Sequence, residues 1–477
     1  MTPKATKAEK ILLGILLAAA CFLFLFRLGN LALYDYDEAH YAQVVQQTLA
    51  SDDLLTFKRF NTEWFEKPPL LLWLTMASVK IFGINEFAMR LPTALFGILG
   101  IYGTYLLAFV LTKNRFTALS AGFVLLLSGM FPASGRQLRM DVPAASAIVW
   151  AVYSFVKSWE KPKYYLGFWV WTAVGVLLKS VVGLFAWPIS FIFSAICKQW
   201  GWLKNRYFYG GILIFLFLVV PWHIYETGKF GSRFWSEYFG FHIFRRATEK
   251  ILGGNVTTFD YLKHLLILNE PWFILTIILG GVTIFYSPRL FSCRAAAASL
   301  LSVLFIFFVF ILARTKLMFY LVPILPFEAL FIAASAFYLW QNTRWRQKKK
   351  FLIGCGSVMF LIAAVSTAAQ LFYYRAPYSY SYAGEERAIG NIIKERMAGH
   401  SIYSYDWKSY ETIYFYSEQT NRIQLVSREE LERGFPMPYF LIIPRLYLPS
   451  SYQPGTSVLY RGPNLALVEV SKKASKN

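Results

Sequence analysis

Several things are missing from this chain. Cysteine is scarce: Cys21, Cys197, Cys293 and Cys355 are the complete set, and none lies in a long hydrophilic segment, so no disulfide framework is implied. Residues 375–477 contain no glycine-rich phosphate loop and no metal-ligand spacing, and the chain has no repeat of solenoid type. Acids are outnumbered, 27 against 48 Lys and Arg, which leaves a formal charge of +21. The basic residues nevertheless form no stripe or single face, which argues against a nucleic-acid binder. They sit in short clusters between apolar blocks.

Apolar sequence is what the chain has in excess. Of its 477 residues, 56% are hydrophobic. The blocks Ile11 to Phe26, Leu91 to Leu111, Phe116 to Phe131, Ile212 to Val220, Leu265 to Phe285, Ala295 to Ala313 and Phe351 to Leu371 are nearly free of charge. A helix crossing the hydrocarbon needs roughly 20 mostly apolar residues. Its backbone must be helical, because lipid offers no partner to a free N–H or C=O. The fold class expected is therefore an α-helical polytopic membrane protein. Lys4, Lys7 and Lys10 before an apolar stretch resemble a signal peptide, and Leu17 to Cys21 hints at a lipoprotein cleavage site. The apolar run continues to Phe26 and more spans follow, so a retained first helix is expected.

Charge orients the spans. With the N-terminus inside, the inside segments carry Lys4, Lys7 and Lys10; Lys113 and Arg115; Lys157, Lys161 and Lys163; Lys198, Lys204 and Arg206; Arg289 and Arg294; and Arg344, Arg346, Lys348, Lys349 and Lys350. Their only acids are Glu9 and Glu160. That asymmetry follows the positive-inside rule provided the short piece Leu70 to Phe82 lies at the interface; were it a full span, every later cluster would change sides. About eleven spans result by this count, with an outside C-terminus. Residues 1–372 are read as the transmembrane domain, with outside loops at 30–90, 134–142 and 224–264. Residues 373–477 turn polar and mixed, with a helix from Glu385 to Met397 and strands at Tyr439 to Ile443 and Val458 to Arg461, which predicts a small α/β domain outside the membrane.

Chemistry-bearing residues concentrate on the outside. The first loop holds Asp35, Asp37, Glu38 and His40, then Glu63, Glu66 and Lys67. The second turn brings Arg136, Arg139 and Asp141; the long loop brings His223, Glu226, His242, Arg245 and Arg246; Lys179, Arg314, Lys316 and Tyr320 lie near the same face. Acids and bases from distant segments meeting at one surface read as a site assembled from several loops. Breaking the bond of a lipid-linked phosphate sugar needs cations or a metal ion at the departing phosphate and a carboxylate for the acceptor's proton. Asp37 is a candidate for the carboxylate, and Lys67, Arg245 and Arg246 for the cations. Glu66 and His242 are candidate ligands of a divalent ion, zinc or magnesium, and equally a hydrogen-bonded pair.

These residues lie in stretches that resemble a known family. Asp37-Glu38-Ala39-His40-Tyr41-Ala42, Trp64-Phe65-Glu66-Lys67-Pro68-Pro69-Leu70 and Gly83-Ile84-Asn85-Glu86-Phe87-Ala88-Met89-Arg90-Leu91-Pro92 are similar to the aminoarabinose transferases of lipid A modification. So are Leu138-Arg139-Met140-Asp141, Pro221-Trp222, His242 with its arginines, and Lys316-Leu317 with Tyr320-Leu321-Val322-Pro323. That family shares a membrane glycosyltransferase fold, GT-C-like, with the dolichyl-phosphate-mannose protein mannosyltransferases. The resemblance covers most of residues 1 to 330. It implies an inverting transfer from an undecaprenyl-phosphate sugar at the periplasmic face of a bacterial inner membrane, to lipid A, another glycan or a protein. By resemblance Asp37 matches the catalytic aspartate of the first loop and Asp141 a second acidic position in the site. Lys67 matches a lysine holding the carrier phosphate, and Glu66 and His242 match metal-binding positions. His40, Tyr41, Lys316 and Tyr320 join Arg245 and Arg246 as expected carrier-binding residues. His40 departs from the arginine common in the aminoarabinose enzymes, and the C-terminal part is short for that subfamily.

Plainer readings stand beside these. Asp37 and Glu38 suit a helix N-terminus; Lys67 suits a snorkelling anchor; Asp141 suits a surface pair with Arg139; Arg245 and Arg246 suit general headgroup binding. Lys179 and Glu328 lie inside apolar stretches, where charges are usually functional or paired. A transporter or flippase of lipid-linked sugars is the competing class, but it places its key charges near the bilayer midplane on repeated halves, and this chain shows no such halves.

Overall fold

A computed structural model describes residues 6–33, 37–251, 257–282, 293–341, 349–372, 379–396, 400–406, 411–418, 423–448 and 456–471. Asp35, Arg289, Arg344, Arg346 and Lys348 lie outside the described residues. The chain divides into two compact units, one built from 1–26, 65–74 and 91–373, the other from 27–64, 75–90 and 374–477.

The helices in chain order begin α1 (Lys7–Leu25), α2 (Asp37–Leu49), α3 (Leu70–Phe82), α4 (Glu86–Thr112), α5 (Arg115–Leu126), α6 (Met130–Gly135), α7 (Asp141–Ser158), α8 (Tyr164–Lys179), α9 (Ala186–Cys197) and α10 (Arg206–Phe230). Among the described residues six stretches are long and apolar enough to cross a membrane: α1, α4, the stretch 164–197, α10, Arg294–Leu312 and Met318–Gln341. A seventh is the pair Thr258–Leu268 and Trp272–Gly281, bent by 112°. The molecule is a multi-pass helical membrane protein. Helix α10 shows why: Phe217 is 77% and Leu213 69% exposed, a surface that suits lipid and not water.

Two local features refine the span reading. Helix α3 forms where the apolar piece Leu70 to Phe82 predicts it, but 13 residues make only about 20 Å of helix, short of a hydrocarbon core of about 30 Å. The stretch 164–197, by contrast, is too long for one straight crossing. It doubles back after α8: Ser180 adopts φ +49°, and a Cβ added to Gly183 would lie 2.1 Å from the Gly175 carbonyl carbon. Glycine at 183 lets these backbones touch, and a Cβ at Gly175 would lie 3.1 Å from the Gly183 Cα, the small-residue logic of membrane helix packing. The basic end of α8, Lys179, therefore sits at a turn.

The described residues of 224–264, read above as one long loop, are largely helical. Helix α10 runs on to Phe230, breaks at Gly231 (φ +56°), and resumes through Ser232–Trp235 into a π-helix over Ser236–Arg245. The segment carries no proline and is dense in aromatic side chains, so it has enough apolar surface to pack as a helix. Phe65 packs on Phe230 and Phe234, and Trp222 and Tyr238 pack on Phe234.

In the second unit a hairpin, β1 (Lys58–Arg59) and β2 (Thr62–Glu63), follows α2. The C-terminal segment builds a five-stranded mixed sheet from β3 (Ser401–Tyr405), β4 (Gln424–Val426), β5 (Tyr439–Pro444), β6 (Thr456–Arg461) and β7 (Leu465–Val470), in the order β4-β3-β5-β7-β6. β3 runs parallel to β4 and β5, while β7 is antiparallel to β5 and β6. Phe440 and Ile442 of β5 face one core with Ile389 and Ile413 from flanking helices; Tyr439, Leu441 and Ile443 face a second. A strand covered on both sides reads as the continuous apolar run Tyr439 to Ile443, which is why it was legible.

Candidate functional site

The first unit holds a cluster centred on Glu66. Pro68 and Pro69 end the extended chain and start α3, since proline lacks the N–H that a first turn leaves unused. Ahead of them, Glu66 Oε1 accepts from Lys67 Nζ at 2.8 Å and from Arg246 Nη2 at 3.0 Å. His242 Nδ1 lies 3.9 Å from the same oxygen. All four side chains are largely buried, between 13% and 18% exposed. His242 and Arg246 arrive together because they are one helical turn apart where the π-helix ends. Wide turns of this kind are uncommon and are frequently found at functional sites.

The chain around residue 315 ties to this cluster's support. Arg314 N donates to Ala247 O at 2.9 Å and Thr315 N to Arg246 O at 3.1 Å. Lys316 Nζ donates to Ile311 O and Ala313 O, so it caps the end of the preceding helix. Arg245 faces elsewhere: it is half exposed and forms a bidentate pair with Glu249 one turn on.

A second cluster surrounds Asp141 at the start of α7. Its carboxylate accepts from Lys179 Nζ at 2.5 Å and from Arg139 Nε at 3.2 Å. Arg139 stacks over Phe319 at 3.6 Å, and Lys179 lies 5.1 Å above the Tyr320 ring. Tyr320 and Asp141 are thus brought together through Lys179. The charge inside an apolar stretch has its partner, and so does Glu328, which accepts from Asn269 Nδ2 and Thr276 Oγ1.

In the second unit Asp37 is the first residue of α2, with His40 and Tyr41 one turn on along the same face. Its neighbour Glu38 is fully buried and pairs with Arg90 through Nε and Nη2 at 2.7 and 2.8 Å. Arg90 also donates to Leu28 O, Leu31 O and Ala32 O, so one guanidinium holds the chain leading into α2. This assigns Glu38 to architecture. His40 Nε2 accepts from Trp64 Nε1 at 3.0 Å. Tyr41 packs edge-on against Trp64. On its other side His40 Nδ1 lies 3.8 Å from Glu411, whose carboxylate also binds Arg59. Burial alone raises the Glu411 pKa, but the facing His40 and Arg59 groups outweigh it and hold the carboxyl below its ordinary value. Glu411, Arg59, Trp64 and Arg90 carry these arrangements without any signal of spacing, since Glu411 comes from the far end of the chain.

Glu66 and His242 stand close enough to share an ion, but among the described residues no group of three His, Cys, Asp or Glu side chains converges. Zinc takes three or four protein ligands, and both cations here already engage the Glu66 oxygen. Glu66 and His242 are a two-residue donor pair, fewer than the ligands of a closed zinc centre, and Lys67 and Arg246 add positive charge at the same place.

Residues 66–225 match the family of dolichyl-phosphate-mannose-protein mannosyltransferases. An uncharacterised protein of Aquifex aeolicus is 30% identical over 217 residues, 44% of this chain and 43% of that protein. The undecaprenyl phosphate-alpha-4-amino-4-deoxy-L-arabinose arabinosyl transferase of Pectobacterium carotovorum is 24% identical over 328 residues, 67% of this chain and 58% of that enzyme. The chain thus spans about half the length of the curated relatives it matches. The crystal structure of ArnT from Cupriavidus metallidurans bound to undecaprenyl phosphate superposes with a TM-score of 0.70 at 19% identity, over 96% of this chain and 97% of that one. The chain thus has the GT-C-like fold of that transferase structure, and in sequence it is similar to the dolichyl-phosphate-mannose-protein mannosyltransferases over 66–225 and to the aminoarabinose transferases.

Proposed function

We propose that this protein is an inverting glycosyltransferase that moves a sugar from an undecaprenyl-phosphate carrier to lipid A or a related envelope glycan, at the periplasmic face of a bacterial inner membrane. The observation that carries the reading is the meeting of Lys67 and Arg246 on Glu66. Two cations against one carboxylate leave these three side chains with one net positive charge. The donor is a phosphodiester of one negative charge, and the departing carrier is a phosphomonoester approaching two. A cationic group that gains more from the second than from the first lowers the barrier, because it binds the transition state better than the substrate.

The acceptor hydroxyl oxygen attacks the anomeric carbon as the bond from that carbon to the phosphate oxygen breaks. One displacement inverts the configuration. The electron pair leaves with the phosphate, which Lys67 and Arg246 neutralise; the hydroxyl proton needs a carboxylate to receive it, the role for which the sequence offers Asp37. Asp141 orients Lys179 and Arg139 and so shapes the cationic wall near Tyr320. His40 and Tyr41 serve the geometry of α2, and Lys316 the segment beside Arg246. A protein acceptor in place of a glycan leaves every one of these roles unchanged.

The test uses the full chain in liposomes with synthetic undecaprenyl phosphate monosaccharides, aminoarabinose first, and lipid A or a periplasmic protein extract as acceptor. Released undecaprenyl phosphate and a covalent product are expected, and Asp37→Asn is expected to abolish both while the protein stays folded. Movement of the carrier between leaflets without product would instead support a flippase.

A further inference from the structure

The helix Glu411–Ser417 belongs to the C-terminal segment, yet its side chains bond to the polypeptide on both sides of Asp37. Ahead of Asp37, Thr412 Oγ1 donates to Leu33 O at 3.3 Å, and Leu33 N donates to the Tyr416 hydroxyl at 3.0 Å. That hydroxyl donates in turn to Glu86 at 2.8 Å, and Glu86 also accepts from Arg387. Behind Asp37, Glu411 takes His40 and Arg59. Arg59 Nε donates to Gln43 Oε1 at 2.8 Å, one turn beyond His40 on α2, and Phe60 packs edge-on against Tyr414 with its N–H on Gln47. The helix is therefore bonded to the chain before α2, to α2 itself and to the hairpin after it.

The chemistry of His40 makes this support directional. The Trp64 indole can only donate, so the His40 nitrogen that receives it carries no proton. The ring proton of the neutral imidazole is then on Nδ1, which faces Glu411 at 3.8 Å. Trp64 and Glu411 together select one tautomer and one ring orientation, three residues after Asp37 on the same helical face. The facing His40 and Arg59 hold the Glu411 carboxyl below its ordinary value, so a negative charge faces that proton at 3.8 Å.

We infer that Glu411 is a positioning residue for the transfer reaction: through His40 and Arg59 it fixes the rotation of α2 and thereby the pose of the Asp37 carboxylate. This rests on the role proposed above for Asp37. The C-terminal domain gains a function from it, as the outer support of the first-loop helix, and the site is incomplete in any chain truncated before Glu411.

The experiment uses full-length protein, labelled with ¹⁵N-histidine, as wild type and as Glu411→Ala, Glu411→Asp, Asp37→Asn and His40→Ala, the last to assign the resonance. In the wild type the His40 imidazole is expected to show the Nδ1–H tautomer, and Glu411→Ala is expected to give averaged tautomers. The single-turnover rate of undecaprenyl phosphate release is expected to fall at least tenfold in Glu411→Ala and to recover in part in Glu411→Asp. The dissociation constant for undecaprenyl phosphate is expected to stay within twofold, because Lys67 and Arg246 are untouched. An unchanged His40 signal in Glu411→Ala would overturn the link to His40. A changed signal with an unchanged rate would overturn the positioning role, and so would equal losses in rate and in carrier binding. Normal turnover by Asp37→Asn would remove the reading of the site on which the inference rests, and it is measured separately from the imidazole signal.

Discussion

Lys67→Met isolates the charge of the Glu66 cluster. In the wild type Lys67 and Arg246 oppose Glu66, so the cluster carries one net positive charge; the substitution brings it to zero while keeping the length of the side chain. A unit charge facing a phosphate at about 4 Å contributes about 4 kcal/mol at an effective dielectric of about 20. Competing hydration reduces this, and hydrogen bonds to charged groups contribute about 1.5–3 kcal/mol net. At about 1.4 kcal/mol per factor of ten, undecaprenyl phosphate should bind roughly 10- to 150-fold more weakly. Titration followed by tryptophan fluorescence in detergent measures this, with uncharged undecaprenol as the control. The alcohol should bind both proteins alike, because its chain contacts are unchanged. Equal weakening for phosphate and alcohol would mean that Lys67 acts through packing, and no weakening for either would place the phosphate elsewhere; both results refute the reasoning. Arg246→Met should behave likewise, and the double substitution should lose more than the sum, because it leaves Glu66 without either cation.

Arg90→Ala strands the buried Glu38 carboxylate and three carbonyls; a cost of about 3–5 kcal/mol is expected, seen as a large fall in melting temperature, and Arg90→Lys should not rescue it, since an ammonium cannot fork to five acceptors. Glu411 has its folded-state pKa lowered, so its contribution to stability is present above the unfolded carboxyl value, about 4.3, and is lost as pH falls through the folded value; Glu411→Gln should flatten the acid limb of a melting-temperature profile, and an identical limb would count against the pairing. Gly183→Ala drives a methyl into the backbone at Gly175, where no side chain can yield; the yield of monodisperse protein should collapse, whereas Gly201→Ala, which meets nothing within 4 Å, should be tolerated.

The patterns that require no knowledge of distant contacts were legible in the sequence. Apolar blocks as long as the bilayer core read as helices, because lipid satisfies no backbone group, and the run Tyr439 to Ile443 reads as a strand. Glu66 from the first loop and His242 with Arg246 from a later segment were singled out and stand together in the structure. The turn after Lys179 was legible from charge, yet its cause, the contact of Gly175 with Gly183, was not. Residues 224–248 looked like a loop because their charges masked an aromatic helix.

By itself, then, the sequence determined what is set locally: which segments enter lipid, where charge is excluded from them, and which residue types are available for phosphate and proton chemistry. The tertiary structure alone decided the pairings. Glu38 with Arg90, Asp141 with Lys179, and His40 with Glu411 join residues 52, 38 and 371 positions apart. Hydrogen bonding and ion pairing depend on distance in space over a few ångströms, and nothing in the order of residues along a chain encodes that distance until the helices have packed.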